Sequence, residues 1–149
     1  MYTAAVEAPV VGLKVHRTSA HPWIYRKMVR PAPGVAPGSF VEIRDKDGAF
    51  VGRGFYNPRS EIALRVLATD PREESLEALI EDRLARALRL RREVLKIEET
   101  TDAFRLVHAE ADGLSGLCLD VYGSHLAAEV FSIGFIRAEP ILRRTLARL

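Results

Sequence analysis

The chain has one cysteine, Cys118, one tryptophan, Trp23, and two methionines in 149 residues. A single cysteine closes no internal disulfide, so a reducing, cytoplasmic setting is expected. No apolar run approaches the roughly 20 residues that a membrane helix needs. The N-terminal MYTAAVEAPVVG lacks the basic region and apolar core of a signal peptide. Neither a membrane partner nor secretion is expected. Phosphate-cradling glycine patterns are missing too. Gly52-Arg53-Gly54 lies in a strand pattern, without the third glycine or the following helix of a dinucleotide loop. Lysine is also scarce: Lys14, Lys27, Lys46 and Lys96 are the only lysines among 22 basic residues. Arginine supplies the rest, and its planar fork suits phosphates and base planes. A GC-rich genome enriches arginine for no structural reason, so abundance alone decides nothing.

What is present describes a folded protein. With 48% hydrophobic and 28% charged residues the chain is globular, with material for one ordinary domain or two small ones. Its net charge of +2 is unevenly spread. Residues 1–73 carry 11 basic and 7 acidic side chains, and residues 74–149 carry 11 and 13. The basic excess therefore sits in the first half.

That half reads as strands. VVGLKVH (10–16) is a short apolar run, followed by the turn-rich RTSAHPWIYRKMV. SFVEIRD alternates, DKDG turns on a glycine, AFVGRGFY returns, NPRS turns again and EIALRVLA ends the group. Asp70-Pro71-Arg72-Glu73 then has the form of a helix start, predicting a helix to about Ile97. Its apolar stripe is Leu76, Leu79, Ile80, Leu84, Ala87, Leu88, Val94 and Leu95, with Arg86, Arg89 and Arg92 off it. Two strands follow around Asp112–Gly116, then a third at HLAAEVFS and a helix over 139–149. That helix runs to an apolar residue without a cap, which leads us to expect a fragment of something longer.

The stretch FRLVHAEADGLSGLCLDVYG (104–123) holds the densest set of chemical side chains. If 104–112 is one extended strand, His108, Glu110 and Asp112 share a face, about 6.6 Å apart. Ligands to one zinc-type ion must lie about 2.0–2.2 Å from it, so these converge poorly. A hairpin is the simpler reading, with Glu110 pairing Arg105 or another arginine. Glu110 and Asp120 as a hydrolytic carboxylate pair lack an aromatic platform. Cys118, between two leucines, has the setting of a buried, inert thiol.

The remaining signal is basic and aromatic. Lys14, Arg17, Arg26, Lys27 and Arg30 accompany His21, Trp23 and Tyr25, while Arg53, Tyr56, Asn57 and Arg59 lie on or beside a turn. Cations interleaved with rings are what structured RNA requires, through phosphate pairing and base stacking. Trp23 itself is expected in the core. Phosphate contacts are expected from Lys14, Arg17, Arg26, Lys27, Arg53 and Arg59, and a polar contact from Asn57.

Three strings in series are specific: HPWIYRKMV, PGSFVEIRDKDGAFVGRGFYNPRSEIALRVL and AFRLVHAEADGLSGLCLDVYG. Together they resemble the N-terminal half of the bacterial ribosomal RNA large-subunit methyltransferase I family, over about Leu13 to Leu149. The family's GLPGL is Gly113-Leu114-Ser115-Gly116-Leu117 here. The resemblance implies an α+β chain: a PUA-like small β-barrel over 1–70, then a central α/β domain over 71–149. The latter would hold a long helix, a β-hairpin sheet and a C-terminal helix. It also implies S-adenosylmethionine-dependent formation of 5-methylcytosine in 23S rRNA by the whole enzyme. The family's cofactor loop and catalytic cysteine lie beyond the matched region, so no cofactor and no catalytic residue is assigned to this chain, which is expected to be inactive alone. Its implied work is binding and orienting structured RNA, with Glu110 and Asp112 holding the hairpin against a catalytic domain. A homodimer is compatible with this. The alternative is a free-standing PUA-type RNA-binding module, and a metal-dependent hydrolase using the 104–123 stretch is a more distant third.

Overall fold

The computed structural model of the chain describes residues 8–73 and 75–149. Two compact units divide at Pro71 and Arg72. The architecture is α+β, as the sequence leads one to expect.

The first unit is a five-stranded sheet in the order β1-β3-β4-β5-β2. Its strands are β1 (Val10–Gly12), β2 (Trp23–Tyr25), β3 (Phe40–Arg44), β4 (Phe50–Tyr56) and β5 (Ile62–Ala68). The β1–β3 pair is parallel and the other pairs are antiparallel. Period-2 patterning explains β3, whose Val41 and Ile43 are fully buried while Arg44 is exposed. The β3–β4 turn closes through Asp45, whose Oδ1 accepts the amides of Asp47 and Ala49, and through Gly48 at φ +86°. Beyond the two edge strands, Leu13 and Val29 form an antiparallel bridge. That bridge joins the end of β1 to the segment after β2 and curls the sheet towards a barrel. Val11, Leu13, Ile24, Val29, Ile43 and Leu64 fill its interior.

Gly54 has a specific task. A Cβ there would lie 2.0 Å from the Arg65 carbonyl oxygen. It sits where the β4–β5 register shifts, between Arg53 and Gly54, and its missing side chain lets the two backbones meet.

The second unit begins with α1 (Leu76–Arg89). The sequence places its cap at Asp70, but Ser75 caps it instead, Oγ accepting from the Ala78 amide at 3.2 Å. Asp70 and Pro71 are otherwise engaged: the Pro71 carbonyl accepts from Arg53 at 2.7 Å. The apolar stripe holds through Leu79, Ile80, Leu84 and Ala87. It then fails, because Leu90–Val94 is a π-helical turn. The wider turn shifts the helix face, turning Arg91 inward and leaving Val94 68% and Leu95 56% exposed.

Three antiparallel strands follow in the order β6-β7-β8: β6 (Ala103–His108), β7 (Leu117–Tyr122) and β8 (His125–Val130). Two helices, α2 (Ile133–Arg137) and α3 (Glu139–Arg148), complete the unit. Ser132 caps α2, and Pro140 occupies the first turn of α3. Phe135, fully buried, anchors α2. The sequence pattern offers no sign of α2, nor of β2 within its turn-rich segment, since neither is long enough to show a period.

Candidate nucleic-acid interface

In the hairpin stretch 104–123 the acidic side chains are engaged by arginines and a serine. The strand ends at His108, and Ala109 (φ +41°) leads into a 3-10 turn, so His108, Glu110 and Asp112 are not on one extended face. Asp112 accepts two bonds from Arg91, at 2.5 and 2.9 Å, and a third from the His108 amide at 2.6 Å. Glu110 accepts from Ser115 Oγ at 2.8 Å, and Arg105 pairs with Asp120 at 2.8 and 3.0 Å. The Arg105 bond holds the Asp120 carboxyl below the usual carboxylate range. Cys118 is 5% exposed, and burial pushes its thiol up, the opposite of nucleophile activation.

The cations of the first unit are arranged differently. Around the barrel seam, the Lys14 amide donates to Met28 and the Arg30 amide to Gly12. Arg30 also reaches the Lys46 carbonyl at 3.2 Å, and the Lys46 amide bonds Val15. Backbone pairing thus draws Lys14, Arg30 and Lys46 together, all exposed. Lys46 stands between Asp45 and Asp47 in sequence. In the fold, His16 takes both, meeting Asp45 at 2.8 Å and Asp47 at 3.1 Å. The His16 bond and two backbone amides hold Asp45 below its ordinary range.

A second group gathers at the β4–β5 turn. Asn57 Oδ1 accepts from the Arg59 amide at 3.1 Å, shaping the turn, while the Arg59 side chain is exposed. The Arg26 amide bonds the Glu61 carbonyl, and its guanidinium pairs with the Glu61 carboxylate. Lys27 follows, exposed.

Beside β2 lies an aromatic group. His21 meets Trp23 edge-on at 4.9 Å, and Arg65 lies over the Trp23 ring at 5.5 Å. Trp23 is half-buried, not a core residue, because β2 is an edge strand. Arg17 is half-buried, bonded to the carbonyls of Ser19 and His21, and burial pulls its pKa down. Arg53 differs most from its expected surface position: it is 8% exposed and pairs with Glu42 at 3.0 Å.

Both units hold paired and unpaired cations among the described residues: Arg26, Arg44 and Arg53 are paired in the first, and Arg89 and Arg137 have no ion pair in the second. In the second, Arg86, Arg92, Arg143, Arg144 and Arg148 each pair with a carboxylate. In the first, Lys14, Lys27, Arg30, Lys46 and Arg59 have no carboxylate partner among the described residues.

Residues 18–69 match the family described as a PUA-like domain. The first unit is a PUA-like domain. Over 115 of its residues the chain is homologous to the N-terminal region of ribosomal RNA large subunit methyltransferase I. It is 35% identical over 115 residues to that protein from Escherichia coli (strain K12), covering 76% of this chain and 29% of the relative. The enzyme of the same name from Shigella boydii serotype 18 matches equally. The chain thus spans less than a third of these relatives. Two solved structures share the fold: a candidate SAM-dependent methyltransferase from Streptococcus mutans (TM-score 0.73, 11% identity) and the candidate methyltransferase SMU.776 complexed with SAH (TM-score 0.72, 13%). They cover 94% and 95% of this chain, and it covers 37% of each.

The described residues do not fit the methyl donor of such enzymes. Gly52 and Gly54 press against the β5 backbone, and Gly113 faces the Arg83 guanidinium, so none opens a cradle. A groove of about 250 Å³ in the second unit is lined chiefly by leucine, phenylalanine and valine side chains, without a carboxylate. Among the described residues no helix is long and apolar enough to cross a membrane.

Proposed function

We propose that the PUA-like domain binds structured RNA, 23S rRNA in particular, as the substrate-gripping portion of a SAM-dependent cytosine-C5 methyltransferase. One observation carries the reading: Lys14, Lys27, Arg30, Lys46 and Arg59 lack carboxylate partners on the domain that matches the PUA-like family. Cations without protein partners are what phosphates pair with, and each contact releases counterions. The Trp23 and His21 rings of the same domain offer aromatic surface for an unpaired base. Catalysis belongs to a part of such enzymes that this chain does not cover. C5 methylation needs a thiolate to attack C6, and the buried Cys118 is no candidate. Glu110 and Asp112 have a supporting part, holding the β6–β7 loop rigid for the catalytic domain it would face.

Titrating a 23S rRNA fragment into the chain at rising salt tests this. Affinity should fall steeply and linearly on logarithmic axes. Flat salt dependence would sink the reading. A free-standing RNA-binding module would behave alike in that assay. A genomic reading frame continuing past Leu149 into a glycine-rich strand–loop–helix would exclude it.

A further inference from the structure

His16 stands between two carboxylates of the β3–β4 turn. Its Nδ1 lies 2.8 Å from Asp45 Oδ2 and its Nε2 lies 3.1 Å from Asp47 Oδ2. A neutral imidazole carries one N–H and one lone pair, so it can donate to only one of them. The two contacts together require the imidazolium. The aspartates are not equally held. The Asp45 side chain is 13% exposed and also accepts the amides of Asp47 and Ala49, at 2.9 and 3.0 Å. The Asp47 side chain is 67% exposed and has no other partner among the described residues. Loss of the ring proton therefore releases Asp47 and leaves Asp45 in the turn. Lys46 stands between them, its amide bonded to Val15 and its carbonyl to Arg30. The charged groups drawn to this turn are thus Lys14, Arg30 and Lys46 besides the two aspartates. Of the neighbouring cations, Arg44 is paired with Glu42, and Arg17 is bonded to the carbonyls of Ser19 and His21.

We propose that His16 is a proton-controlled positioning residue of the RNA site: by holding Asp45 and Asp47 it keeps Lys14, Arg30 and Lys46 free for a backbone phosphate. With the imidazolium in place, four positive groups stand with two carboxylates, and the barrel seam is left two charges positive. Loss of the proton halves that excess. It also leaves the Asp47 carboxylate as an internal rival to the phosphate, one residue from Lys46. Histidine changes charge between about pH 5 and 8, while the RNA backbone stays charged throughout. Asp45 stays charged over the same window, because the His16 bond and two amides hold it below its ordinary range. Binding is therefore tighter on the acid side of neutrality and weaker on the alkaline side. This inference rests on the RNA reading above and adds to it the residue that regulates the site.

Binding of a 23S rRNA fragment to the 149-residue chain, measured near pH 6 and near pH 8, tests this. The parent chain should bind about fivefold more tightly near pH 6, and its logarithmic salt slope should be steeper there by about one. His16→Ala should bind weakly at both pH values, as the parent does on the alkaline side. Asp47→Asn keeps the His16–Asp45 contact and the turn, and should raise alkaline binding towards the acid value. Combining the two should restore tight binding that no longer depends on pH, which a phosphate contact made by the ring itself would not allow. A parent profile flat in pH, or a pH dependence unchanged in either single variant, would overturn the proposal while steep salt dependence left the RNA reading standing. Absence of salt-dependent binding at both pH values would remove the two together.

Discussion

Arg91 and Asp112 face each other through two parallel bonds, 2.5 and 2.9 Å long, with side chains only 11% and 8% exposed. Arg91 also donates Nε to the Arg105 carbonyl at 3.2 Å. One pair thus ties the π-turn after α1 to the strand β6 and to the loop that follows it. Removing one partner leaves a buried charge without compensation. Asp112→Asn should therefore cost about 3–5 kcal/mol of the second unit's stability in urea unfolding. Replacing both with apolar residues of similar volume should cost less than the single change. If the single variant unfolds like the parent, the pair is not what holds the loop.

Glycines 48 and 54 should respond differently to alanine. At Gly54 the new methyl meets the Arg65 carbonyl oxygen at 2.0 Å, so a strand must move, and a loss of about 3 kcal/mol is expected. At Gly48 nothing lies within 4 Å, leaving only the strain of φ +86°, worth about 1 kcal/mol. Equal melting temperatures for the two variants would contradict the close β4–β5 approach.

Substitutions in the first unit should split RNA binding from folding. Lys14→Ala, Lys27→Ala and Arg59→Ala should each weaken RNA binding and lower the salt slope by about one, with unfolding unchanged. Arg53→Ala should do the reverse, because it strips the half-buried Glu42 and the Pro71 carbonyl of their guanidinium. Denaturant curves run beside binding curves check both halves.

Acid should act through Asp120. Its carboxyl is depressed by the Arg105 bond, so its contribution is present above the unfolded value, about 3.9, and is lost as pH falls through the lower folded value. The stability difference between parent and Asp120→Asn should be full near neutrality and shrink below about pH 4. A difference that persists in acid would show that the pair contributes through packing instead.

Sequence alone determined the elements that are long enough to repeat. Strands β3, β4 and β5 were legible from alternation and turn glycines, and α1 from its stripe, because solvent on one side imposes a period on the residues. The same local signals misplaced the helix cap. Asp70-Pro71 has the form of a start, and only the fold shows that Ser75 caps the helix while Pro71 accepts from Arg53. Strand β2, helix α2 and the π-turn were illegible, being too short for a period or set by the packing of Arg91. The candidate interface divides in the same way. Its residue types were visible, but Arg53 and Arg59 read alike as basic residues near one turn. Tertiary structure alone buried the first beside Glu42 and left the second in solvent, and it alone freed Lys46 by giving both neighbouring aspartates to His16. The reason is physical: whether a charge is available depends on which opposite charge the fold brings within about 4 Å, and that partner lies far away in sequence.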